Sequence, residues 1–204
     1  MTPRTRLTRQ ALLDATAELT YLRGITATGV DLIAKRAGVT KRTLYQHFAS
    51  KDGLVAASLA ARDEVGLALL RSGAHARAER TGQLPGLALF DVIERFLAGP
   101  GAAGCAFLNA GLELGDRDHP AGRASRRHLA GREALVAELL LESGLDDAEL
   151  AAGVALLVDG AFAVGGARRD PAAAARAKRA ASTLIEHHRA PDRTGPTETG
   201  ERAR

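Results

Sequence analysis

Apolar side chains recur three or four positions apart along several stretches of the chain, which is the spacing of one face of an α-helix. The first stretch predicts a helix over residues 8–23. Its apolar face consists of Leu12, Ala15, Leu19 and Leu22. Gly24 follows as the predicted C-terminal cap, because glycine adopts the left-handed conformation at little cost.

Capping residues predict two short helices next. Thr28 followed by Asp31 is a capping-box pattern, and it predicts a helix that begins at Thr28 and passes through Ile33 to Ala37. Gly38 would end this helix. Thr40 then caps a predicted third helix over residues 41–48.

A long fourth helix is predicted from Lys51 to about His75, with Ser50 as its N-cap. It would join the two halves of the molecule. Residues 115–122 are predicted as a loop or a helix start, and the Pro/Gly/Thr-rich residues 190–204 as a disordered tail. Further helices are predicted over residues 87–98, 105–114, 123–142, 146–166 and 171–188.

Composition supports an all-α fold. Ala and Leu dominate, β-branched residues are sparse and aromatic residues make up only 3%, a balance that favours helix over strand. The single cysteine, Cys105, excludes an internal disulfide and suits a reducing cytoplasm. No apolar run is judged long enough to span a bilayer, so we expect a cytoplasmic protein without a membrane partner.

Positive charge is concentrated in the first quarter of the chain. Residues 1–53 carry nine cationic and four acidic side chains, whereas the remainder carries 19 cationic and 20 acidic ones. Such a concentration suggests a polyanionic partner, because neutralising phosphates releases condensed counterions. A basic solvated face is an almost equal alternative on charge alone.

Three short helices with a glycine turn between two of them form a helix-turn-helix unit, whose second helix enters the major groove. In the predicted third helix Leu44 and Phe48 lie one turn apart and would pack inward. The remaining side chains form a donor-rich outer surface suited to phosphates and base edges. They are Lys41, Arg42, Thr43, Tyr45, Gln46 and His47.

The segment GITATGVDLIAKRAGVTKRTLYQHFASKDGLV resembles the TetR-family signature, and the resemblance covers about residues 9–55. The order of Ile-Ala, Ala-Gly-Val-Thr, Thr-Leu-Tyr-x-His-Phe and Ser-Lys-Asp carries it. Arg42 departs from the family pattern, which often has glycine there. The alternative for Tyr45 and His47 is that they are ordinary polar surface residues of a helical hairpin.

The resemblance implies that Thr43, Tyr45, His47 and Lys51 contact phosphates. Lys41, Arg42 and Gln46 would then be the main base readers. The helix-start residues Thr28 and Thr40 complete the predicted DNA-binding set.

The resemblance also implies the domain organisation and the activity. Residues 1–53 would be the helix-turn-helix domain, and residues 54–189 a helical domain that binds a ligand and forms the homodimer. The expected function is that of a transcriptional repressor released from a palindromic operator by a small apolar or amphipathic effector. The partners would be double-stranded DNA, a second copy of the chain and that effector.

Candidate effector-binding residues lie in the second half of the chain, where the segment GCAFLNAGLELGDRDHPAG resembles one group of these regulators. Each could instead be a core or surface residue, and Cys105 is either a redox or electrophile sensor or a small buried hydrophobe. The apolar candidates are Phe90, Phe96, Cys105 and Phe107, and the polar ones are Asn109, Glu113 and His119.

The predicted helix over residues 146–166 is almost continuously apolar or small, and such a helix needs a partner. With the helix that ends at His188 it could form a four-helix bundle across a two-fold axis. The side chains assigned to this interface are Leu150, Val154, Leu157, Val158 and Ala161, with Gly153, Ala155 and Gly160 allowing close approach. Burial of both helices within one subunit is the alternative.

Two rival functions remain. Glu113 with His119 could serve as an acid–base pair, but the sequence has no nucleophile motif, metal-ligand spacing or phosphate loop. We therefore expect no catalytic residue, metal or cofactor. The other rival is a binding module that has lost DNA binding, which intact Tyr45, His47 and Lys51 disfavour.

Overall fold

The chain folds entirely into helices in the part that the structure, a computed structural model, describes, namely residues 3–114 and 118–189. The predicted tail over 190–204 and most of the glycine-led loop after Leu114 lie outside these residues. The helices are α1 (Pro3–Arg23), α2 (Val30–Arg36), α3 (Lys41–His47), α4 (Lys51–Thr81), α5 (Pro85–Leu97), α6 (Ala106–Leu114), α7 (Pro120–Leu141), α8 (Ala148–Arg168) and α9 (Ala172–Arg189). The all-α prediction is confirmed.

Side-chain caps set the starts of α3 and α4 as predicted. The hydroxyl of Thr40 accepts a hydrogen bond from the Thr43 amide at 3.1 Å. The Ser50 hydroxyl accepts one from the Gly53 amide at 3.0 Å. Each bond satisfies an amide that the first turn of a helix leaves without a partner.

Thr28 does not cap α2, so that prediction is wrong. Its hydroxyl donates to the Gly24 carbonyl at 2.6 Å, and the side chain is fully buried. The helix begins two residues later, with Gly29 as an N-cap that has no side-chain bond. The capping box does not form because the Thr28 hydroxyl donates to carbonyl groups at the end of α1 and just after it, instead of accepting from an amide of α2.

Several helix bounds differ from the predicted ones. α1 begins at Pro3 rather than near residue 8, and α7 begins at Pro120 rather than at residue 123. α4 continues past His75 to Thr81, where Gly82 ends it in the left-handed conformation at φ 70°. α3 ends one residue early, because Phe48 is already extended.

A first apolar core joins α1, α2, α3 and the start of α4. Leu44 and Phe48 pack into it as predicted. Leu22, which was assigned to the same face of α1, is instead 59% exposed. The buried members are Leu12, Leu13, Ala15, Leu19, Ile33, Ala34, Leu44, Phe48 and Leu54.

A second, larger core lies among α4 to α9, and α8 packs on α5, α7 and α9. Among the described helices, α8 alone is long and apolar enough to cross a bilayer by length and composition. The expectation that no apolar run reaches that length is therefore wrong. Its contacts with three neighbouring helices are those of a core helix.

Burial within one subunit accounts for most of the side chains assigned to the dimer interface. Leu150, Val154, Ala155, Val158 and Ala161 are all buried in the second core of the single chain. They are therefore unavailable to a second copy, and assigning them to the interface was wrong. A different stripe remains exposed, formed by Leu156, Gly160 and Val164 on α8 with Leu184 on α9.

Candidate nucleic-acid interface and internal cavity

α3 presents one polar face to solvent because its other face is anchored in the first core. Leu44 is fully buried and Phe48 nearly so. Lys41, Arg42, Tyr45 and Gln46 are exposed, and Thr43 and His47 are half-buried beside them. Six of the predicted DNA-binding side chains thus share one surface, with Thr40 at its N-terminal edge.

Two exposed ion pairs lie in or beside this surface. Lys41 Nζ lies 3.1 Å from Asp31 Oδ2, and both side chains are largely exposed, so the pair is weak. Arg36 binds both carboxylate oxygens of Glu18 and ties α2 to α1. The Lys41 ammonium can therefore exchange its partner for a phosphate at little cost.

Two predicted DNA-binding residues lie elsewhere than on the exposed face of α3. Lys51 is half-buried in the first turn of α4, where its charge helps to lower the pKa of Glu113. Thr28 is fully buried against the end of α1. Thr28 therefore supports the fold of the helix-turn-helix and is not placed to touch DNA, which corrects that assignment.

A cavity of about 470 Å³ lies between the helix-turn-helix and the second core. Its wall includes residues from the end of α1, and most of its surface is apolar. Five predicted pocket residues line it: Phe96, Cys105, Phe107, Asn109 and Glu113. Their assignment as effector contacts stays a prediction.

Two predicted pocket residues are not on the cavity wall. Phe90 is completely enclosed in the second core. His119 is the N-cap of α7, where its Nδ1 accepts a hydrogen bond from the Ala121 amide at 3.1 Å. Its Nε2 lies 3.4 Å from Asp52 Oδ1. Neither residue is placed to touch an occupant, and His119 is already engaged in roles other than acid–base chemistry.

Two polar wall residues on α7, His128 and Arg132, were not among the predicted pocket residues. Their spacing of four residues puts both on one helix face, which is the pattern that could have identified them. Arg132 is 1% exposed and forms an ion pair with Asp159. Such a buried cation on an otherwise apolar helix face is costly unless it is paired.

Arg132 and His128 on α7 lie beside the thiol of Cys105. Arg132 Nη1 lies 3.4 Å from its Sγ. Burial raises the pKa of Cys105, but the His128 hydrogen bond and the Arg132 charge outweigh it and lower the pKa to about 7. His128 in turn contacts Asp63 Oδ1 at 2.7 Å and stacks on Phe107.

Two hydrogen-bonded contacts join the helix-turn-helix to the cavity wall. The Glu113 carboxylate on α6 accepts from the Ile25 amide at 2.8 Å and from the Thr26 amide at 2.6 Å. Burial raises the pKa of Glu113, and these amide donors more than offset that effect, so the pKa is lowered.

Tyr21, near the end of α1, provides the second contact. Its hydroxyl accepts from the Ala103 amide at 2.7 Å and donates to the Gly104 carbonyl at 2.9 Å. Gly104 has φ +83°, and an added Cβ would meet the Phe162 carbonyl oxygen at 2.6 Å. Only glycine therefore lets this loop lie against α8 while it binds Tyr21.

Metal binding has no support in the described part of the chain, where no three His, Cys, Asp or Glu side chains converge. Glu113 and His119, the candidate acid–base pair, are each engaged by backbone amides of different segments. The arrangement can bind a polyanion on one surface and a small, mostly apolar molecule inside.

Comparison with known proteins places the first core in a defined family. Residues 12–58 match the family described as bacterial regulatory proteins, tetR family. A 43-residue segment is 56% identical to the transcriptional activator FasR of Mycolicibacterium smegmatis. That segment is 21% of this chain and spans only 20% of FasR.

Two solved structures match over nearly their whole length. The Streptomyces avermitilis protein sav143, described as a TetR-type transcriptional regulator, is 33% identical with a TM-score of 0.75, over 88% of this chain and 97% of that one. SCO4454 of Streptomyces coelicolor, a TetR-family regulator, is 29% identical with a TM-score of 0.76, over 89% and 96%. The chain therefore belongs to the TetR family of DNA-binding transcriptional regulators.

Proposed function

We propose that the protein is a dimeric repressor whose affinity for a palindromic operator falls when a small apolar or amphipathic effector occupies the cavity. One observation carries this proposal. The cavity wall is shared between the helix-turn-helix, through Tyr21, Gly24 and Ile25, and the helices of the second core. An occupant would touch both the helix-turn-helix and the second core. Its affinity would therefore depend on how these two parts are oriented relative to each other.

The exposed surface of α3 is the proposed DNA-reading surface. Arg42 and Lys41 stand in its first turn, which is the end that enters the major groove in such units. With Gln46 they are the proposed base readers. The proposed phosphate contacts are Thr40, Thr43, Tyr45, His47 and Lys51.

Dimerisation is proposed through α8 and α9, within residues 146–188. The exposed stripe of Leu156, Gly160 and Val164 with Leu184 would be covered by the same stripe of a second copy. Small and apolar side chains at helical spacing let two helices approach closely. A two-fold dimer would set its two α3 helices about 34 Å apart, one turn of DNA.

Glu113 and Tyr21 are the proposed links between effector and operator binding. Both side chains line the cavity, and both bind backbone groups across the boundary with the helix-turn-helix. An occupant that displaces α6 or the loop before it would pull on α1 and on the α1–α2 turn. α4 would carry the same movement, because Leu54 belongs to the first core and Val55 to the second.

Gly66 on α4 offers a test that needs no knowledge of the effector. It lines the cavity, and an added Cβ would meet nothing within 4 Å. Gly66→Phe should therefore place a ring in the cavity as a permanent occupant. Operator DNA would first be selected from random sequences with the unmodified protein, and affinities then measured by fluorescence anisotropy.

We expect Gly66→Phe to bind the selected operator about tenfold or more weakly, within the usual range of allosteric coupling. Gly66→Ala is the matched control and should bind like the unmodified protein. A folded Gly66→Phe variant with unchanged affinity would contradict the coupling. A promoter–reporter assay with both variants would separate repression from activation, the role named for FasR.

A further inference from the structure

Four charged or titratable side chains converge on the cavity-lining thiol of Cys105. Arg132 and His128 approach it from α7, each backed by a carboxylate. Asp159 on α8 pairs with Arg132, and Asp63 on α4 binds His128. A thiol, an imidazole and a carboxylate in series are the arrangement that activates a cysteine nucleophile.

Arg132 gives an independent indication that something binds beside this thiol. Its side chain is 1% exposed and lines the cavity, yet its Nε and Nη2 have no hydrogen-bond partner among the described residues, although Nη2 is in ion-pair contact with Asp159. A buried, unsatisfied N–H of a charged group is costly. An acceptor oxygen on a cavity occupant would remove that cost.

The thiol is ionised to a useful extent at neutral pH. With its pKa lowered to about 7, about half of Cys105 is thiolate at pH 7, against roughly 3% of an ordinary thiol. The thiolate is the reactive form towards carbon electrophiles. Cys105 remains reachable from the cavity although it is 7% exposed.

The rest of the cavity suits an apolar body attached to that oxygen. Phe96, Phe107 and Phe162 line it together with Leu70 and Val92. An occupant that satisfies every group would carry a carbonyl oxygen for Arg132, an electrophilic carbon for Cys105 and an apolar tail.

We propose that Cys105 traps α,β-unsaturated carbonyl compounds covalently within the cavity, with Arg132 binding the carbonyl oxygen and His128 moving the proton. This assignment rests on the proposed function for its regulatory meaning, because it names the class of the effector. The covalent chemistry itself can be tested without DNA.

The reaction is a conjugate addition that needs no oxidant. His128 takes the thiol proton, and the resulting imidazolium is stabilised by Asp63. The thiolate then forms a bond to the β-carbon while the C=C π bond breaks, and the electron pair moves to the carbonyl oxygen as an enolate beside Arg132. The His128 proton finally passes to the α-carbon, so that S–H has been added across C=C.

The test uses trans-2-octenal as the probe and octanal as its saturated control, with intact-mass measurement on the full-length protein. Cys105 is the only cysteine, so Cys105→Ser identifies any adduct at nitrogen. We expect one octenal per chain, no octanal adduct and no adduct on Cys105→Ser at the same exposure.

The rate should exceed that of a short unstructured cysteine peptide at pH 7 by about tenfold or more. The larger thiolate fraction of Cys105 raises the rate, and the weaker nucleophilicity of a low-pKa thiolate partly offsets this, so that ionisation accounts for about threefold of the increase. Arg132 and binding in the cavity supply the rest. A rate equal to or below that of the cysteine peptide would overturn the proposal.

The pH dependence of the reaction rate tests whether His128 activates the Cys105 thiol or only packs beside it. Asp63→Asn should move the midpoint of the rate profile to higher pH, because the imidazolium loses its carboxylate. An unmoved midpoint in a folded variant, checked by circular dichroism, would overturn the role given to His128. The other titratable or charged cavity-wall groups are Tyr21, Arg62, Glu113 and Arg132, and Asp159 lies behind Arg132.

Operator affinity of the octenal-modified protein distinguishes the two proposals. A tenfold or greater loss of affinity supports both. An adduct that leaves operator affinity unchanged keeps the covalent site and overturns effector control through this cavity. Absence of an adduct overturns the covalent site and leaves the result of the Gly66 experiment intact.

Discussion

The exposed side chains of α3 differ in the DNA contacts that their chemistry allows. A guanidinium in the first turn can donate two bonds to one guanine edge, whereas a phenol hydroxyl has a single donor suited to a phosphate. Arg42 and Tyr45 are both exposed and sit on the same surface. Their substitution should therefore have different consequences for sequence preference.

We predict that Arg42→Ala relaxes the preference at one base pair of each half-site, with a loss of about 1–3 kcal/mol for the best sequence only. Tyr45→Phe, which removes only the hydroxyl, should weaken binding to all sequences about equally. Binding to a library of operator variants measures both effects. A uniform loss for Arg42→Ala with intact preference would contradict its role as a base reader.

Glu113 should make the stability of the contact between the two cores depend on pH. Its pKa is lowered in the folded protein, below the unfolded value of about 4.3. Its contribution to stability is therefore fully present above that value and is lost as pH falls through the folded pKa.

We predict that Glu113→Gln lowers the free energy of unfolding at pH 7 by about 1 kcal/mol, the low end for charge-assisted bonds because the carboxylate is exposed. The difference from the unmodified protein should shrink below about pH 4. Urea unfolding across this range measures it. Glu133→Gln on the exposed side of α7 is the control, and an equal loss there would refute the assignment.

At the scale of an element, the C-terminus of α8 carries a residue in an unfavourable conformation. Arg169 caps this helix with φ 52°, the only described non-glycine residue at positive φ. A side chain there is strained against its own backbone, whereas glycine is not. The other described residues at positive φ are all glycine.

We predict that Arg169→Gly stabilises the protein by about 0.5–1 kcal/mol despite the greater freedom it gives the unfolded chain. Arg168→Gly, one residue earlier and still helical, should destabilise it by about as much. Thermal unfolding of the two variants side by side provides the comparison. Destabilisation by both would mean that Arg169 contributes more through its side chain than it loses through its backbone.

At the scale of the whole molecule, the apolar stripe on α8 and α9 determines the oligomeric state that we propose. Leu156 is 71% exposed at the middle of α8, one turn before Gly160. Covering it with a second copy would remove apolar surface from water on both subunits at once, because a two-fold interface uses each patch twice.

We predict that Leu156→Arg converts the dimer to a monomer at micromolar concentration, because two buried cations would face each other across the axis. Leu112→Arg is the control, since Leu112 is 74% exposed on α6, away from this stripe. Sedimentation equilibrium measures both. Loss of operator binding should accompany monomer formation, and a monomeric unmodified protein would refute the interface.

Local signals in the sequence were sufficient for the start and inner face of α3 and for the start of α4. Thr40 and Ser50 cap their helices, and Leu44 and Phe48 face inward as their spacing predicted. These effects act within one or two helical turns. Once the inner face was assigned, the exposed donors of α3 followed from geometry.

The cavity could be predicted only in part. Phe107 and Cys105 were predicted to line a pocket from their residue types and their neighbours in the chain, and both lie on the cavity wall. Phe90 was misassigned because the sequence does not distinguish an aromatic side chain in a core from one in a pocket. His128 and Arg132 were missed because nothing near them in the chain reveals what they face. The predicted cap of α2 by Thr28 was wrong for a related reason, since its hydroxyl donates to the carbonyl of Gly24 just after α1.

The sequence by itself determined the all-helical fold, the family and the exposed polar face of α3, because caps, periodicity and an ordered motif depend on residues a few positions apart. Only the tertiary structure decided which apolar face of α8 is buried inside the subunit and which stays exposed. It also brought Cys105, His128 and Arg132 together from α7 and from the residue preceding α6. Such convergence depends on how separate helices pack, and side-chain packing across distant segments leaves no local pattern in the chain.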